Sequence, residues 1–288
     1  MKTVTRFASL VLCTLMISAA AAQAANRDKM NPADIIAKHL AAIGTDKDRQ
    51  AVKSQLAVGT VNASTRSGNT GVGRIDGRVV MASQGARNLI GMVFDSPDYP
   101  SEKFGYDGKK LTIGFVRPGV RSRFGQFIIS NESIFKQGLI GGALSSSWTL
   151  LDPSAEKAKL EYAGTEKINN RETHKIRYQP RRGSDMRITL YFDTENFRHV
   201  RSLYEREVAA GQGANPNDSS RLRDTRYRLT EDFSDFKKES GLTLPHTYKM
   251  QMLIDVQSGT LVYDWQLNLN QFNFNTEFDA NAFDVTAT

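Results

Sequence analysis

Four histidines are the first candidates for chemistry, because histidine serves both as a metal ligand and as an acid–base group near neutral pH. They are His39, His174, His199 and His246, and they are scattered along the 288-residue chain. No pair has the i, i+4 spacing of a helical metal site, and no HExxH motif occurs. We expect His39 at a helix surface or boundary, and His174 and His199 on strands facing solvent. The sequence therefore predicts no metal site.

Nucleophiles and paired carboxylates give no stronger signal for catalysis. The serines at 145–147 have no neighbouring histidine or lysine that could activate them, and no GxSxG elbow occurs. Glu231, Asp232 and Asp235 lie near arginines, so we interpret them as acids that balance charge at a strand end. No phosphate-binding loop, dinucleotide fingerprint or EF-hand loop is present. We predict a protein that is not an enzyme, with no catalytic residue and no cofactor; a hydrolase using these acids is a remote alternative.

Apolar side chains crowd the stretch between residues 104 and 148. Within it, residues 138–148 (GLIGGALSSSW) carry no charge, and their glycines make them poor helix and strand formers. A mobile apolar segment beside a curved sheet is typical of a lid over a hydrophobic pocket. The alternative, that these residues are simply core, stays open. The candidates for the cavity or its lid are Phe94, Phe115, Phe127, Leu139, Ile140, Leu144 and Trp148.

One helix and many strands must position these residues. Asn31 suits an N-cap, Pro32 the first helical position and Gly44 a C-cap, and apolar residues recur at helical spacing between them, so a helix is predicted over 32–43. Residues 187–193 and 248–256 alternate polar with apolar, which indicates half-buried strands. Roughly ten such runs joined by short turns predict an antiparallel meander.

Local signals predict where these strands turn and bend. Turn dipeptides occur at residues 76–77, 107–108 and 240–241. The alternation over residues 264–274 changes phase at Asn270-Gln271, which predicts a β-bulge. Residues 89–94 are apolar on both faces, so we expect apolar cover on each side of that strand. A strongly curved sheet around helices or a cavity accounts best for this pattern.

The first residues indicate export. Lys2 and Arg6 precede an apolar run from Phe7 to Ile17, and small residues follow up to Ala24. That run is shorter than the about 20 residues that span a bilayer. We therefore predict a signal peptide over residues 1–24, a single domain over 25–288, and a periplasmic location. The only cysteine, Cys13, lies within the signal, so the mature chain contains no thiol.

The net charge of +7 either serves solubility alone or indicates anionic partners. Outside the cytoplasm such partners are lipid head groups or acidic envelope surfaces, and we predict no nucleic-acid binding. Arg221, Arg223, Arg226 and Arg228 form a basic edge beside a polar, glycine-rich loop over 208–224. A solvated strand face is the simpler interpretation of this edge. The alternative is a structural or adaptor protein of the envelope that binds an anionic partner through it.

Several segments together resemble the LolA-like family of periplasmic outer-membrane lipoprotein carriers. They are residues 38–44 (KHLAAIG) with 56–59 (LAVG), 160–177, 188–197 (ITLYFDTENF), 233–245 and 278–283 (FDANAF). The patterns are loose, but they cover most of the chain that follows the signal.

The resemblance implies a mainly β fold with a few helices, in which a strongly curved antiparallel sheet forms an unclosed β-barrel with helices over its concave face. It also implies a hydrophobic cavity that holds a lipid, or the acyl chains of a lipid-modified protein, and exchange with partner proteins of the inner or outer membrane. No gating residue of the family matches a position of this chain, so the resemblance implies a fold and a ligand class without a binding residue.

Overall fold

The computed structural model describes residues 30–68, 70–152, 158–180, 184–211 and 223–286. The predicted signal peptide, Arg221 and most of the glycine-rich loop lie outside these residues. Among the described residues, no helix combines the length and apolar character needed to cross a membrane.

The predicted first helix is confirmed at both ends. Helix α1 spans Pro32–Ile43; the Asn31 side chain accepts a hydrogen bond from the backbone N–H of Ala33, and the N–H of Gly44 donates to the carbonyl of Leu40. A second helix, α2 (Asp46–Ala51), follows at once. The buried side of α1 includes His39, which is 2 % exposed, so the prediction that this histidine lies at a surface or boundary is wrong.

Twelve strands form one antiparallel sheet. They are β1 (Ser54–Ser67), β2 (Thr70–Gln84), β3 (Arg87–Phe94), β4 (Ser101–Tyr106), β5 (Leu111–Ile113), β6 (Lys159–Ile168), β7 (Arg171–Gln179), β8 (Arg187–Asp193), β9 (His199–Val208), β10 (Thr225–Glu239), β11 (Leu242–Val256) and β12 (Gly259–Phe274). Their order is β5-β4-β3-β2-β1-β12-β11-β10-β9-β8-β7-β6. Two meanders therefore meet at the central pair β1–β12, and β5 and β6 are the open edges. The predicted unclosed antiparallel sheet with few helices is confirmed.

Local signals in the strands are mostly confirmed. Val58 pairs with Gln271 and Gly59 with Leu269, so Asn270 is the extra residue of the predicted bulge. The turn signals at 107–108 and 240–241 separate β4 from β5 and β10 from β11. The third turn prediction is wrong, because Gly77 lies inside β2. A Cβ there would meet the Val93 carbonyl oxygen at 2.3 Å, so close strand packing explains this glycine.

A single stretch of chain connects the two open edges of the sheet. Between β5 and β6 it forms α3 (Arg123–Ser130), α4 (Glu132–Lys136) and two short 3-10 turns, Gly142–Leu144 and Thr149–Leu151. It packs on the face that carries the core side chains of every central strand, which we call the inner face. We call residues 123–151 the crossing segment.

The outer face of the sheet lacks an equivalent cover at β3. Ile90, Met92 and Phe94 lie in the core, but Val93, on the other side of this strand, is 51 % exposed. The expectation that both faces of β3 carry apolar cover is therefore wrong. The second face is only weakly apolar, because the residue between Leu89 and Val93 on that face is Gly91, which has no side chain.

Candidate ligand-binding site

The crossing segment fills the inner face with the side chains that the sequence singled out. Six of the seven predicted site residues are at most 5 % exposed: Phe94, Phe127, Leu139, Ile140, Leu144 and Trp148. They lie in one core cluster with residues of the central strands. The seventh, Phe115, is 46 % exposed and lies outside this cluster. Residues 138–148 are therefore packed core, and they occupy the place where a lipid cavity was expected.

Hydrogen bonds from a buried acid hold the glycines of this segment on the sheet. Glu231, on β10, is fully buried, and its Oε1 accepts a hydrogen bond of 2.9 Å from the backbone N–H of Gly141. The hydroxyl of Tyr248 donates to the same oxygen. The hydroxyl of Tyr204 lies 2.7 Å from Oε2 of Glu231 and 3.0 Å from the carbonyl oxygen of Leu139. Burial raises the pKa of Glu231 to about 7, against the opposing effect of these hydrogen bonds.

The serines of the segment form a second attachment, to strands β2 and β3. Ser145 donates to the Asn88 side chain, and the Asn88 amide donates to Ser147. The backbone N–H of Ser146 donates to Ser83 Oγ at 2.8 Å. Among the described residues these serines contact no histidine or lysine. Their role is to satisfy buried polar groups.

Trp148 ends the segment between two buried histidines. Its ring stacks on His199 at 5.0 Å between centroids and meets the His39 ring edge-on at 4.9 Å. Burial lowers the pKa of His39 to about 4, and burial lowers the pKa of His199 well below its usual value. His39 Nδ1 donates to the carbonyl of Phe197 at 2.8 Å. These histidines are neutral core residues, so the prediction that His199 faces solvent is wrong.

The remaining candidates for chemistry are also accounted for by packing and ion pairs. His174 is 7 % exposed, against the prediction that it faces solvent, and its ring stacks on Phe197 at 5.7 Å. Asp232 forms a two-pronged ion pair with Arg201, at 2.6 and 2.9 Å, as expected of an acid that balances an arginine. Within the described residues, no group of three or more His, Cys, Asp or Glu side chains could hold a metal ion.

The basic edge that favoured an anionic partner is largely neutralised. Arg226 pairs with Glu207 at 3.2 Å, and Arg228 pairs with Glu205 at 2.8 Å, both across the β9–β10 ladder. The strand face is therefore solvated and internally paired, which is the simpler of the two interpretations. Exposed pairs of this kind contribute little to stability.

An apolar cleft of ≈ 490 Å³ opens beside the crossing segment. It lies between helix α3 and the inner face of strands β9–β12, near the β11–β12 turn. Ligand sites commonly have volumes of about 300–1,000 Å³. By contrast, the space between His39, His199 and Phe233 beneath α1 measures ≈ 10 Å³, about one water molecule. The cleft is therefore large enough to admit a ligand to the inner face, whereas the space beneath α1 is not.

A single cross-strand row forms the floor of this cleft. Arg206 (β9) pairs with Tyr227 (β10), Tyr227 with Ile254 (β11), and Ile254 with Leu261 (β12). Paired residues of neighbouring strands project from the same face, so the row is continuous. Phe127 of α3 covers it, with its ring centroid 6.1 Å from that of Tyr227. Of the residues predicted from sequence, only Phe127 lines this cleft.

Two arginines place positive charge beside the apolar floor. Arg206 joins sheet and helix: it donates to the carbonyl of Ser130 at 3.3 Å and to the Asn131 side chain at 3.2 Å, and it pairs with Asp185 at 2.9 Å. Arg123, the first residue of α3, is exposed at the opposite side of the cleft. Because Arg206 is paired with Asp185, Arg123 supplies most of the positive charge beside the apolar floor, and this arrangement suits an amphiphile that has an anionic head and a hydrocarbon tail.

The sequence did not identify the residues of β10, β11 and β12 that line the cleft. Tyr227, Ile254 and Leu261 lie in alternating strands and look like ordinary core positions. They form a site only because helix α3 of the crossing segment lies over their row and leaves a cleft between helix and sheet. The position of this helix depends on the path of the crossing segment, for which local periodicity has no signal.

Comparison of the sequence with family models and with curated proteins finds no match. Among solved structures, a LolA superfamily protein from Nitrosomonas europaea has a TM-score of 0.47 at 12 % identity, covering 90 % of this chain and 100 % of that one. A DUF1329 family protein from Desulfovibrio piger has a TM-score of 0.46 at 14 % identity, with 90 % and 99 % covered.

A Vibrio parahaemolyticus structure described as an outer membrane lipoprotein-sorting protein domain has a TM-score of 0.42 at 13 % identity, with 88 % and 98 % covered. At these identities the likeness concerns the fold. Over most of its length, the chain resembles structures of the LolA superfamily and of lipoprotein-sorting proteins.

Proposed function

We propose that this protein is a non-enzymatic binding or carrier protein for a lipid or a lipid-linked molecule of the cell envelope. The observation that carries the proposal is the cleft between α3 and the Arg206–Tyr227–Ile254–Leu261 row. It is open, its floor is apolar, and its edges carry two arginines. A soluble metabolite would need several polar contacts at its centre, whereas a hydrocarbon chain needs an apolar floor alone.

The location and extent of the protein belong to the same proposal. Residues 1–24 act as a signal peptide, residues 25–288 form one lipid-binding domain, and the mature chain works in the periplasm. The cargo is a phospholipid, a fatty acid or the acyl chains of a lipid-modified protein. Partner proteins of the inner or outer membrane deliver it and receive it.

The packed inner face supports a specific mode of binding. An acyl chain in the cleft lies against Phe127, while the other five buried site residues stay packed beyond it. A longer chain enters further only where α3 shifts outward. This helix has eight residues, and one of its buried side chains, Phe124, has its ring 4.8 Å from that of Trp265 and 4.9 Å from that of Phe104.

Binding of a fluorescent fatty acid tests the site with two neighbouring substitutions. Leu261→Ser places a hydroxyl on the cleft floor, whereas Val262→Ser changes the next residue, which faces away from the cleft. We expect Leu261→Ser to weaken binding about tenfold, the effect of losing roughly 1.4 kcal/mol of apolar contact. Val262→Ser should bind like the wild type.

Two results would contradict the proposed site. One is the absence of fatty-acid binding by the wild-type protein, together with native mass spectra that show no copurified lipid. The other is an equal loss of affinity in both variants, which would place the ligand elsewhere. Urea unfolding of each variant confirms that affinities are compared between folded proteins.

A further inference from the structure

A rigid turn projects from the edge of the sheet just before α3. Residues 114–121 (GFVRPGVR) fold back on themselves: the N–H of Val120 donates to the carbonyl of Arg117 at 2.9 Å, and the N–H of Val116 donates to the carbonyl of Val120 at 2.9 Å. Gly119 at the tip has a φ of 73°, which suits glycine after proline in a type II turn. The N–H of Gly114 donates to the Lys103 carbonyl at 2.8 Å and fixes the turn to β4.

This turn and the adjoining end of β3 expose an unusual amount of apolar surface. Phe115 is 46 % exposed and Val120 is 51 % exposed, as is Val93. These are three of the five large apolar side chains that are exposed within the described part of the chain. An ion pair of 2.7 Å between Arg117 and Asp98 links the turn to the loop that follows β3.

Cations surround these apolar side chains. Arg117, Arg121 and Arg123 belong to the turn and the start of α3, and the guanidinium of Arg121 lies 4.4 Å from the Phe115 ring centroid. Lys103 lies beneath Gly114, and Arg78 is the β2 partner of Val93. The exposed carboxylates in the same corner are Asp76, Asp95 and Asp98, against five cations, so positive charge is in excess.

We propose that this corner, which we call the docking corner (Val93 and residues 114–123), binds the surface of an anionic lipid bilayer. Phe115 and Val120 insert among the head groups, while the arginines lie at the level of the phosphates. Exposed apolar side chains between cations are the combination that binds interfaces, since apolar burial and electrostatic attraction add together.

Docking in this way would bring the cleft to the membrane. Arg123 belongs both to the docking corner and to the edge of the cleft, because α3 begins where the turn ends. A lipid would therefore pass from the bilayer to the cleft along the single helix α3. The docking corner goes beyond the proposed function and does not depend on what the cleft holds.

Co-sedimentation with vesicles tests the proposal. The protein is purified in the form in which the expressing cells accumulate it, and mass spectrometry determines its N-terminus. We expect binding to phosphatidylglycerol-containing vesicles that weakens with salt, and little binding to pure phosphatidylcholine vesicles. The double substitution Phe115→Ser/Val120→Ser should weaken the binding about tenfold or more. Both side chains are exposed, so folding should be preserved.

Val208→Ser is the matched control, because Val208 is 40 % exposed but lines the cleft. Val208→Ser should leave vesicle binding unchanged and weaken fatty-acid binding. The Phe115→Ser/Val120→Ser variant should weaken vesicle binding and leave fatty-acid binding unchanged. Vesicle binding that is absent in the wild type, indifferent to lipid charge, or unchanged in the double variant would overturn the docking corner. If the wild-type protein bound vesicles but no fatty acid, that result would instead count against the cleft.

Discussion

The carboxylate of Glu231 accepts a hydrogen bond of 2.9 Å from the backbone N–H of Gly141. This bond joins the middle of the sheet to the middle of the crossing segment, and no ion pair involving Glu231 is found among the described residues. A buried carboxyl group that has no cation beside it resists ionisation, because burial penalises its charged form. The attachment of the crossing segment therefore depends on pH.

We expect the contribution of Glu231 to stability to fall as pH rises between its two pKa values. Its carboxyl has an ordinary pKa of 4.5 and a folded-state pKa of about 7, so the folded protein holds the extra proton in this range. Losing that proton costs at most about 3 kcal/mol of unfolding free energy at pH 8. Urea unfolding at a series of pH values measures the slope, which Glu231→Gln should reduce.

Glu102 provides an internal comparison, because burial also raises its pKa to about 7. The double variant with Glu102→Gln should lose a further part of the decline in stability with rising pH. An unchanged slope in Glu231→Gln would show that the carboxylate of Glu231 is solvated in the folded protein.

His39 should produce the opposite dependence at acid pH. Its pKa is lowered from 6.5 to about 4 by burial, so unfolding takes up a proton as the pH falls through this range. The contribution of His39 to stability should decline as the pH falls below 6.5, and His39→Phe should remove this part of the pH dependence despite losing the hydrogen bond to Phe197. An acid limb of equal steepness in the variant would contradict the neutral buried histidine.

Trp148 should behave as a core residue. Because its side chain is 1 % exposed between His39 and His199, Trp148→Ala should lower the unfolding free energy by about 3–5 kcal/mol. A lid residue would instead lose ligand affinity with little change in stability. Denaturant unfolding combined with fatty-acid binding distinguishes the two roles.

Two glycines separate backbone strain from lack of space. Gly138 has a φ of 60°, and a Cβ on it would lie 2.4 Å from the Ser147 carbonyl oxygen; Gly119 has a φ of 73° with no atom within 4 Å. Gly119→Ala should cost about 1 kcal/mol from φ alone, and Gly138→Ala clearly more. Equal unfolding free energies for the two variants would mean that residues 138 and 147 are not packed together.

Much of the fold can be predicted from local patterns. The capping residues of α1 define both of its ends, and the change of phase at Asn270-Gln271 locates the bulge in β12. Such features depend on a few neighbouring residues, so the sequence carries them directly. The open antiparallel sheet is also the one that the resemblance of the sequence to LolA-like carriers implies.

The candidate site could not be predicted in the same way. Residues 138–148 look mobile because glycine favours neither helix nor strand, but Glu231, Tyr204 and Tyr248 hold their backbone from strands about 60 to 110 residues further along the chain. His39 and His199 look like surface residues until Trp148 packs between them. Long-range partners of this kind leave no periodic signal.

Photo-crosslinking with a diazirine-labelled fatty acid tests the central claim most directly, because it reports where the hydrocarbon chain lies. We expect labelled peptides from α3, around Phe127, and from the β11–β12 hairpin, around Ile254 and Leu261, with less label when unlabelled fatty acid competes. Label confined to the outer face of the sheet, or label that competitor does not reduce, would contradict the cleft as the lipid-binding site.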